Sequence, residues 1–116
     1  MVRPLEGVRI VDLTSGPAGG IATMILADFG AEVLMIERPG IDPMMNLPAS
    51  RMWRRGKRTL PLDLSTDDGL ASLDDLCAGA DVLICNWRLP ALVRKRLDYP
   101  SLHARHPHLI LCHISG

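Results

Sequence analysis

The hydrophobic and polar positions along the chain alternate between two periods, which predicts strands separated by helices. Short, mostly β-branched apolar runs bounded by turn residues predict buried strands at 8–13, 31–36, 59–64, 81–85 and 109–114. Segments rich in helix formers predict helices at 18–29, 67–77, 90–96 and 99–105. Buried strands that alternate with helices indicate a parallel sheet covered on both faces. The predicted fold is therefore α/β and Rossmann-like, with a parallel sheet and helices on both faces.

One long segment, 41–57, has no clean period and predicts a loop. Loops of this length inside compact domains are uncommon and are often functional. A basic cluster lies at its end, and its members are Arg51, Arg54, Arg55, Lys57 and Arg58. Such a run of charge is most often a solvated face, and an anionic ligand or a partner chain is the alternative.

Composition and charge exclude several classes of protein. The 116 residues suffice for one domain, and 47% hydrophobic with 22% charged residues is an ordinary globular balance. The net charge is zero, whereas a nucleic-acid-binding domain would carry an excess of basic residues. No apolar run approaches the length of a membrane span, and the N-terminus lacks the apolar core of a signal peptide. We expect a cytoplasmic protein that binds neither nucleic acid nor membrane.

The cysteines and histidines do not form a recognisable metal or catalytic motif. Cys77, Cys85 and Cys112 lie in apolar stretches at spacings that fit no zinc site, so we expect three buried free thiols. Three of the four histidines cluster before the last predicted strand, where surface positions are expected, and His113 within that strand is expected to be packed. No nucleophile with a matching base is evident, and no bound metal is expected.

Candidate binding residues follow the predicted strands, where ligands of doubly wound sheets bind. The small residues at 14–20 open a helix whose N–H groups could receive a phosphate or a pantetheine carbonyl, although tight packing also requires small residues there. About 20 residues further on, Arg38 could pair with a phosphate and Glu37 with a ribose hydroxyl, or the two could form a surface charge pair. Asn86 follows a later strand, where it could bond an amide or an adenine edge or could simply shape a turn.

Six strings, in order along the chain, resemble family III CoA-transferases, the group that includes formyl-CoA transferase, carnitine-CoA transferase and α-methylacyl-CoA racemases. They are PLEGVRIVDLT at 4–14, ATMILADFGAEV at 22–33, ERPG at 37–40, RGKR at 55–58 with LDL at 62–64, ADVLI at 80–84 with NW at 86–87, and PHLI at 107–110 with ISG at 114–116. Any one string is weak, but six in register extend the resemblance over almost the whole chain.

The resemblance implies an α/β enzyme with two interlocked subunits, which moves CoA between carboxylic acids or inverts an acyl-CoA α-centre. CoA or acyl-CoA is then a substrate, and no covalently bound cofactor is expected. The family's CoA-binding positions correspond in this chain to Pro17, Ala18, Arg38, Leu62, Asn86 and Arg94. By resemblance, Arg38 and Arg94 would contact phosphates, Leu62 would pack near the adenine, and Asn86 would fix the nucleotide.

Three segments of the chain depart from the family pattern. Gly20 replaces a proline, Ser65 replaces a lysine that could contact a phosphate, and the family's ENFRPG string reads CNWRLP at 85–90. No aspartate or histidine of the chain corresponds to the family's catalytic residues. We therefore expect 1–116 to be an N-terminal CoA-binding, Rossmann-like segment, with the catalytic and small domains absent and no turnover on its own.

Three alternatives stay open at this point. The chain could be a segment of an acyl-CoA racemase, because the residues that separate racemase from transferase are not among these 116. It could be an NAD(P)-binding Rossmann module, although the Gly-x-Gly-x-x-Gly fingerprint is absent. It could also be a non-catalytic subunit that pairs with a partner chain.

Overall fold

A five-stranded parallel sheet forms the centre of the computed structural model, which describes residues 3–38 and 48–115. The described elements, in chain order, are β1 (Arg9–Asp12), α1 (Gly16–Asp28), β2 (Glu32–Glu37), α2 (Ser50–Trp53), β3 (Lys57–Pro61), α3 (Asp67–Ala78), β4 (Val82–Cys85), α4 (Leu89–Arg94), α5 (Tyr99–Arg105) and β5 (Ile110–His113). The strand order is β3-β2-β1-β4-β5, and every neighbouring pair is parallel. The chain reverses direction across the sheet beside β1, and such switch points are where doubly wound sheets bind ligands.

Helices cover both faces of this sheet, as the sequence predicts. Because side chains alternate along a strand, Ile10 and Val11 of β1 point to opposite faces. Ile10 packs in a smaller cluster that includes Leu26 of α1. Val11 belongs to the larger core, which Leu73 of α3 and Leu92 of α4 complete from the other side. The predicted α/β fold with a parallel sheet is therefore confirmed.

Local signals account for where the main helices begin and end. Ser15 is extended at the N-cap of α1, and Pro17 lies in the first turn, where a missing N–H costs nothing. Gly30 follows α1 with φ of 107°, a left-handed conformation that favours glycine. At α3, the Thr66 hydroxyl accepts the Gly69 N–H at 3.0 Å, so Thr66 rather than Ser65 is the cap.

The predicted loop is where sequence and structure differ most. Within 41–57, the structure places the short helix α2 and begins β3 at Lys57, two residues before the predicted strand. The remainder of the predicted loop, 41–47, lies outside the described residues, as do Pro39 and Gly40 of the ERPG string and Gly116. Strand β3 lies at an edge of the sheet, where Pro61 is tolerated at its end.

The opposite edge strand, β5, corrects two expectations. Cys112 and His113 are exposed, whereas the apolar run around them predicts burial. A continuous apolar run is typical of a strand covered on both faces. In the described ranges, however, β5 is an edge strand whose Ile110, Cys112 and His113 are exposed. Cys77 and Cys85 are buried as predicted, and burial raises the pKa of each thiol to about 11.

Candidate functional site

The carboxyl ends of four adjacent strands converge on one edge of the sheet. Polar and backbone contacts join the residues that follow these strands. The Trp87 indole N–H, after β4, donates to the Leu13 carbonyl after β1 at 3.0 Å. On the other side of β1, the Leu62 N–H donates to the Glu37 carbonyl at 2.9 Å, which joins the ends of β3 and β2. We refer to this edge, with residues 13–18, 38, 62 and 86–87, as the carboxyl edge.

Asn86 fixes the connection between β1 and α1. Its side-chain N–H donates to the Ser15 carbonyl at 2.7 Å, and its side-chain oxygen accepts the Ser15 N–H at 3.2 Å. A carboxamide has two N–H groups and two oxygen lone pairs, so each end retains one further bonding position. Asn86 therefore holds the turn in place and still has the capacity to bond a ligand.

Arg38 lies at the same edge, stacked on an aromatic ring. Its guanidinium carbon is 4.3 Å from the centroid of the Trp87 ring. The Trp87 side chain is buried and is anchored by its hydrogen bond to Leu13. A cation this close to an indole ring is attracted to it, and a planar guanidinium is a group suited to a phosphate.

The other predicted contacts lie in the segments that follow β1, β3 and β4. Pro17 and Ala18 are exposed in the first turn of α1, and Leu62 is half-buried immediately after β3. Arg94 is exposed in the last turn of α4, about 7.5 Å along the helix axis from the start of that helix. Its role in phosphate binding stays a prediction.

The basic cluster is in part a solvated face, since Arg51, Arg55 and Arg58 are exposed, and in part a set of ion pairs. Arg54 pairs with Glu37 at 2.7 Å, where both side chains are about one-third exposed. Glu37, a candidate ribose partner, therefore bonds to Arg54 in this structure. Arg55 pairs with Asp28 at 2.6 Å, and this hydrogen bond lowers the pKa of Asp28. Two members of the cluster thus fasten the segment before β3 to α1 and β2.

A third member of the cluster forms a buried ion pair. Lys57 Nζ lies 3.4 Å from Asp12 Oδ2, and the two side chains are 0% and 1% exposed. Lys57 also donates to the Gly20 carbonyl at 3.0 Å. Burial lowers the pKa of Lys57, although the negative charge of Asp12 opposes this effect.

Asp12 is the centre of this buried network. Its Oδ1 accepts the Thr14 N–H at 2.8 Å and the Thr14 hydroxyl at 2.6 Å, while Oδ2 accepts the Thr23 hydroxyl at 2.7 Å. Among the described residues, every buried side-chain nitrogen and oxygen has a hydrogen-bond partner. The network was not predicted, although an aspartate within an otherwise apolar strand is a sequence signal that could have indicated it.

His106 is a further departure from expectation, because it is buried rather than at the surface of a loop. Its Nε2 lies 2.8 Å from Asp74 Oδ1, and Arg105 donates to the same oxygen at 2.9 Å. Burial alone would raise the pKa of Asp74, but the hydrogen bonds from His106 and Arg105 outweigh burial and lower it. This pairing joins α3 to the end of α5, away from the carboxyl edge.

The described ranges contain neither a cluster of metal-binding side chains nor a membrane-spanning helix. No group of three His, Cys, Asp or Glu side chains there is arranged to hold a metal ion. None of the described helices has the length and apolar character to cross a membrane.

Comparison with known proteins identifies the family. The family model for CoA-transferase family III matches residues 5–116. Over 97% of its length, the chain is 37% identical to the succinyl-CoA–L-malate CoA-transferase alpha subunit of Chloroflexus aurantiacus. It is 38% identical over 97% of its length to succinate–glutarate CoA-transferase of Agrobacterium fabrum. The chain spans 29% and 32% of these two relatives, so it corresponds to about a third of their length.

Solved structures give the same result. A CAIB/BAIF family protein from Brucella suis superposes with a TM-score of 0.89 at 35% identity, over 100% of this chain and 34% of that one. Rv3272 from Mycobacterium tuberculosis has the same TM-score at 29% identity, over 99% of this chain and 35% of that one. A putative β-ketoacyl-ACP reductase reaches only 0.53 at 19% identity, a likeness of fold alone. The resemblance carried by the six strings is confirmed, and the chain belongs to CoA-transferase family III.

Proposed function

We propose that this chain supplies the CoA-binding edge of an enzyme that transfers CoA from an acyl-CoA to a carboxylic acid. The supporting observation is the carboxyl edge, where Arg38, Asn86 and the turn at Ser15 are joined by contacts between strands β1, β2 and β4. The names of the relatives, which include transferases for succinyl-CoA with malate or glutarate, indicate a dicarboxylic acid as the class of partner.

The proposed binding mode assigns each part of CoA to one part of the edge. Arg38 pairs with a phosphate through the N–H edge of its stacked guanidinium. The exposed start of α1 at Pro17 and Ala18 receives the pantetheine or diphosphate portion, where the helix dipole favours negative charge. Leu62 offers an apolar contact to the adenine, and Asn86 uses its remaining N–H and lone pair on the nucleotide. Arg94 is proposed as a second phosphate contact.

The proposed chemistry uses an aspartate outside these 116 residues. Its carboxylate attacks the acyl-CoA carbonyl and releases the CoA thiolate, which leaves a mixed anhydride. The thiolate then attacks the aspartyl carbonyl of the anhydride, which releases the first acid and forms an aspartyl-CoA thioester. The second acid repeats the two steps in reverse and leaves as a new acyl-CoA.

Asp12, the buried aspartate at the end of β1, does not suit this chemistry. Asp12 is 0% exposed, and its two oxygens accept bonds from Thr14, Thr23 and Lys57. A nucleophile needs an accessible lone pair, and these contacts leave Asp12 none that faces solvent. We therefore propose that this chain binds CoA but does not transfer it alone.

Calorimetric titration of the chain with CoA tests the binding proposal. We expect saturable binding of CoA, and NAD and NADP should not bind. Arg38→Met should weaken CoA binding by about tenfold, the loss expected for one charge-assisted hydrogen bond. Arg9→Met is the matched control, because Arg9 is exposed at the start of β1, at the opposite end of the sheet. Binding of NAD instead of CoA would refute the assignment.

A turnover assay tests the proposal that this chain does not transfer CoA alone. The chain is incubated with succinyl-CoA and a labelled dicarboxylic acid, and the acyl-CoA pool is analysed by mass spectrometry. We expect no labelled acyl-CoA. Labelled product that depends on the chain would show that the catalytic carboxylate lies within these 116 residues.

Pairing with a second chain is part of the proposal, either as an interlocked homodimer or with a different subunit. Three apolar side chains at helical spacing support it, since Ile21 and Ile25 of α1 and Phe29 at its C-cap are 38%, 45% and 51% exposed. Light scattering after size-exclusion chromatography should give a mass above that of the monomer, and Ile25→Glu should shift it towards the monomer. A monomeric wild-type chain at micromolar concentration would contradict this part.

A further inference from the structure

Trp87 makes contacts with residues at the carboxyl ends of three other strands of the sheet. Its indole N–H donates to the Leu13 carbonyl after β1, and its ring lies under the Arg38 guanidinium after β2. Its own carbonyl lies 2.5 Å from His113 Nε2 at the end of β5. The residue is 7% exposed, so the protein encloses nearly all of it.

These contacts hold the Trp87 ring in place, and the ring in turn restricts the side chain of Arg38. An indole that packs in the main core and also donates a hydrogen bond has little freedom to rotate. A flexible arginine that stacks on a fixed surface loses rotamer freedom before a ligand arrives. Affinity rises when that entropy is lost on folding rather than on binding.

The identity of this aromatic residue sets the chain apart from the pattern that it resembles. Where the ENF string has phenylalanine, this chain has Trp87. A phenyl ring cannot donate to the Leu13 carbonyl, and its attraction for a cation is weaker than that of an indole. Substitution of Trp87 therefore separates the two contributions, since phenylalanine retains a ring and leucine does not.

We propose that Trp87 is a positioning residue, which holds the Arg38 guanidinium in the orientation that binds a phosphate of CoA. This inference rests on the proposed function, because it assumes that Arg38 contacts CoA. It assigns Trp87 no contact of its own with the phosphate. The effect of Trp87 on CoA affinity must therefore pass through Arg38.

A double-mutant cycle measured by CoA titration tests the inference. We expect Trp87→Leu to weaken CoA binding about five- to tenfold and Trp87→Phe about two- to threefold, from the usual strength of a cation–π contact. In the Arg38→Met background, both substitutions should change the dissociation constant by less than about twofold, because the group that they position is gone. Near-ultraviolet circular dichroism establishes that each variant is folded. If Trp87→Leu does not fold, the cycle with Trp87→Phe decides.

The outcomes separate this inference from the proposed function. A wild-type chain that does not bind CoA refutes both. CoA binding that Trp87→Leu leaves unchanged, or that it weakens equally with and without Arg38, refutes only the positioning role. A merely structural role for Trp87 would give the second of these results, since lost packing would act on the turn and on Arg38 independently.

Discussion

The buried ion pair between Lys57 and Asp12 gives the clearest energetic prediction. Lys57→Met retains most of the length and apolar stem of the side chain but removes its charge. Asp12 would then be a buried carboxylate without its cation, and the Gly20 carbonyl would lose a donor. Removing one partner of a buried pair is costly because the other charge has already been taken out of water.

The structure gives the size of this effect. Two unit charges 3.4 Å apart attract by about 5 kcal/mol at an effective dielectric constant of 20. The three bonds that Asp12 accepts from Thr14 and Thr23 persist in the variant and reduce the loss. We expect Lys57→Met to lower the free energy of unfolding by about 3–5 kcal/mol. That is a large share of the roughly 5–15 kcal/mol that stabilises a typical domain.

Urea unfolding followed by tryptophan fluorescence measures this loss, since Trp53 and Trp87 are both buried. Urea is preferable to guanidinium chloride because it is uncharged and does not screen ion pairs. Arg55→Met is the matched control: it removes a charge two residues away whose pair with Asp28 is 54% and 46% exposed. We expect this control to leave the urea midpoint nearly unchanged, because solvent screens exposed pairs.

A second variant distinguishes the ion pair from general damage to packing. The double variant Asp12→Asn with Lys57→Met has no buried charge in the network and should be more stable than the sum of the two single losses predicts. Equal urea midpoints for Lys57→Met and Arg55→Met would refute the reasoning. So would a double variant whose loss equals that sum.

Three further predictions concern other parts of the fold. Gly20→Ala would place a methyl group into the Trp53 indole and should lower the free energy of unfolding in urea by about 1–3 kcal/mol. Gly79→Ala is the control and should not reduce stability, because its added carbon meets no atom closer than 4.0 Å. Equal losses in the two variants would contradict the predicted clash with Trp53. An aromatic disulfide reagent should modify one thiol, Cys112, rapidly in the folded chain and the two buried thiols only after unfolding; rapid reaction of all three would contradict their burial. Because the pKa of Asp74 is lowered, its ionised form stabilises the fold above about pH 4, and this contribution is lost as the pH falls through the folded pKa. Asp74→Asn should therefore flatten the fall in the free energy of unfolding between about pH 5 and pH 3. Parallel pH curves for the variant and the wild-type chain would refute this prediction.

The fold was predictable because its signals are local. Continuous apolar strands, a proline in the first turn of α1 and a capping threonine before α3 each determine structure within a few residues. Their regular alternation then leaves a parallel sheet as the arrangement that buries both faces. The predictions failed for Cys112 and His113, where burial depends on how many neighbours a strand has rather than on its own residues.

The candidate site was predictable in its location but not in its contacts. Parallel strands place their carboxyl ends at one edge, so Arg38 and Asn86 were expected there from their positions after strands. The stacking of Arg38 on Trp87 links residues that are far apart in sequence, and no local pattern indicates it. The same limit applies to Lys57 and Asp12, which are separated by 45 positions. The sequence of a basic cluster does not show whether its charges face solvent or a buried carboxylate.

The small residues at 14–20, which connect β1 to the beginning of α1, were expected either to bind a ligand or to allow tight packing, and the structure separates these two roles. A side-chain carbon at Gly19 would overlap Thr14, and one at Gly20 would overlap Trp53, so both glycines are required for close packing whatever the ligand. Pro17 and Ala18, by contrast, are exposed at the start of α1. Because packing accounts for the two glycines, their presence is no argument for CoA. The argument for binding therefore depends on the exposed pair and on the bonds by which Asn86 holds the turn beside it.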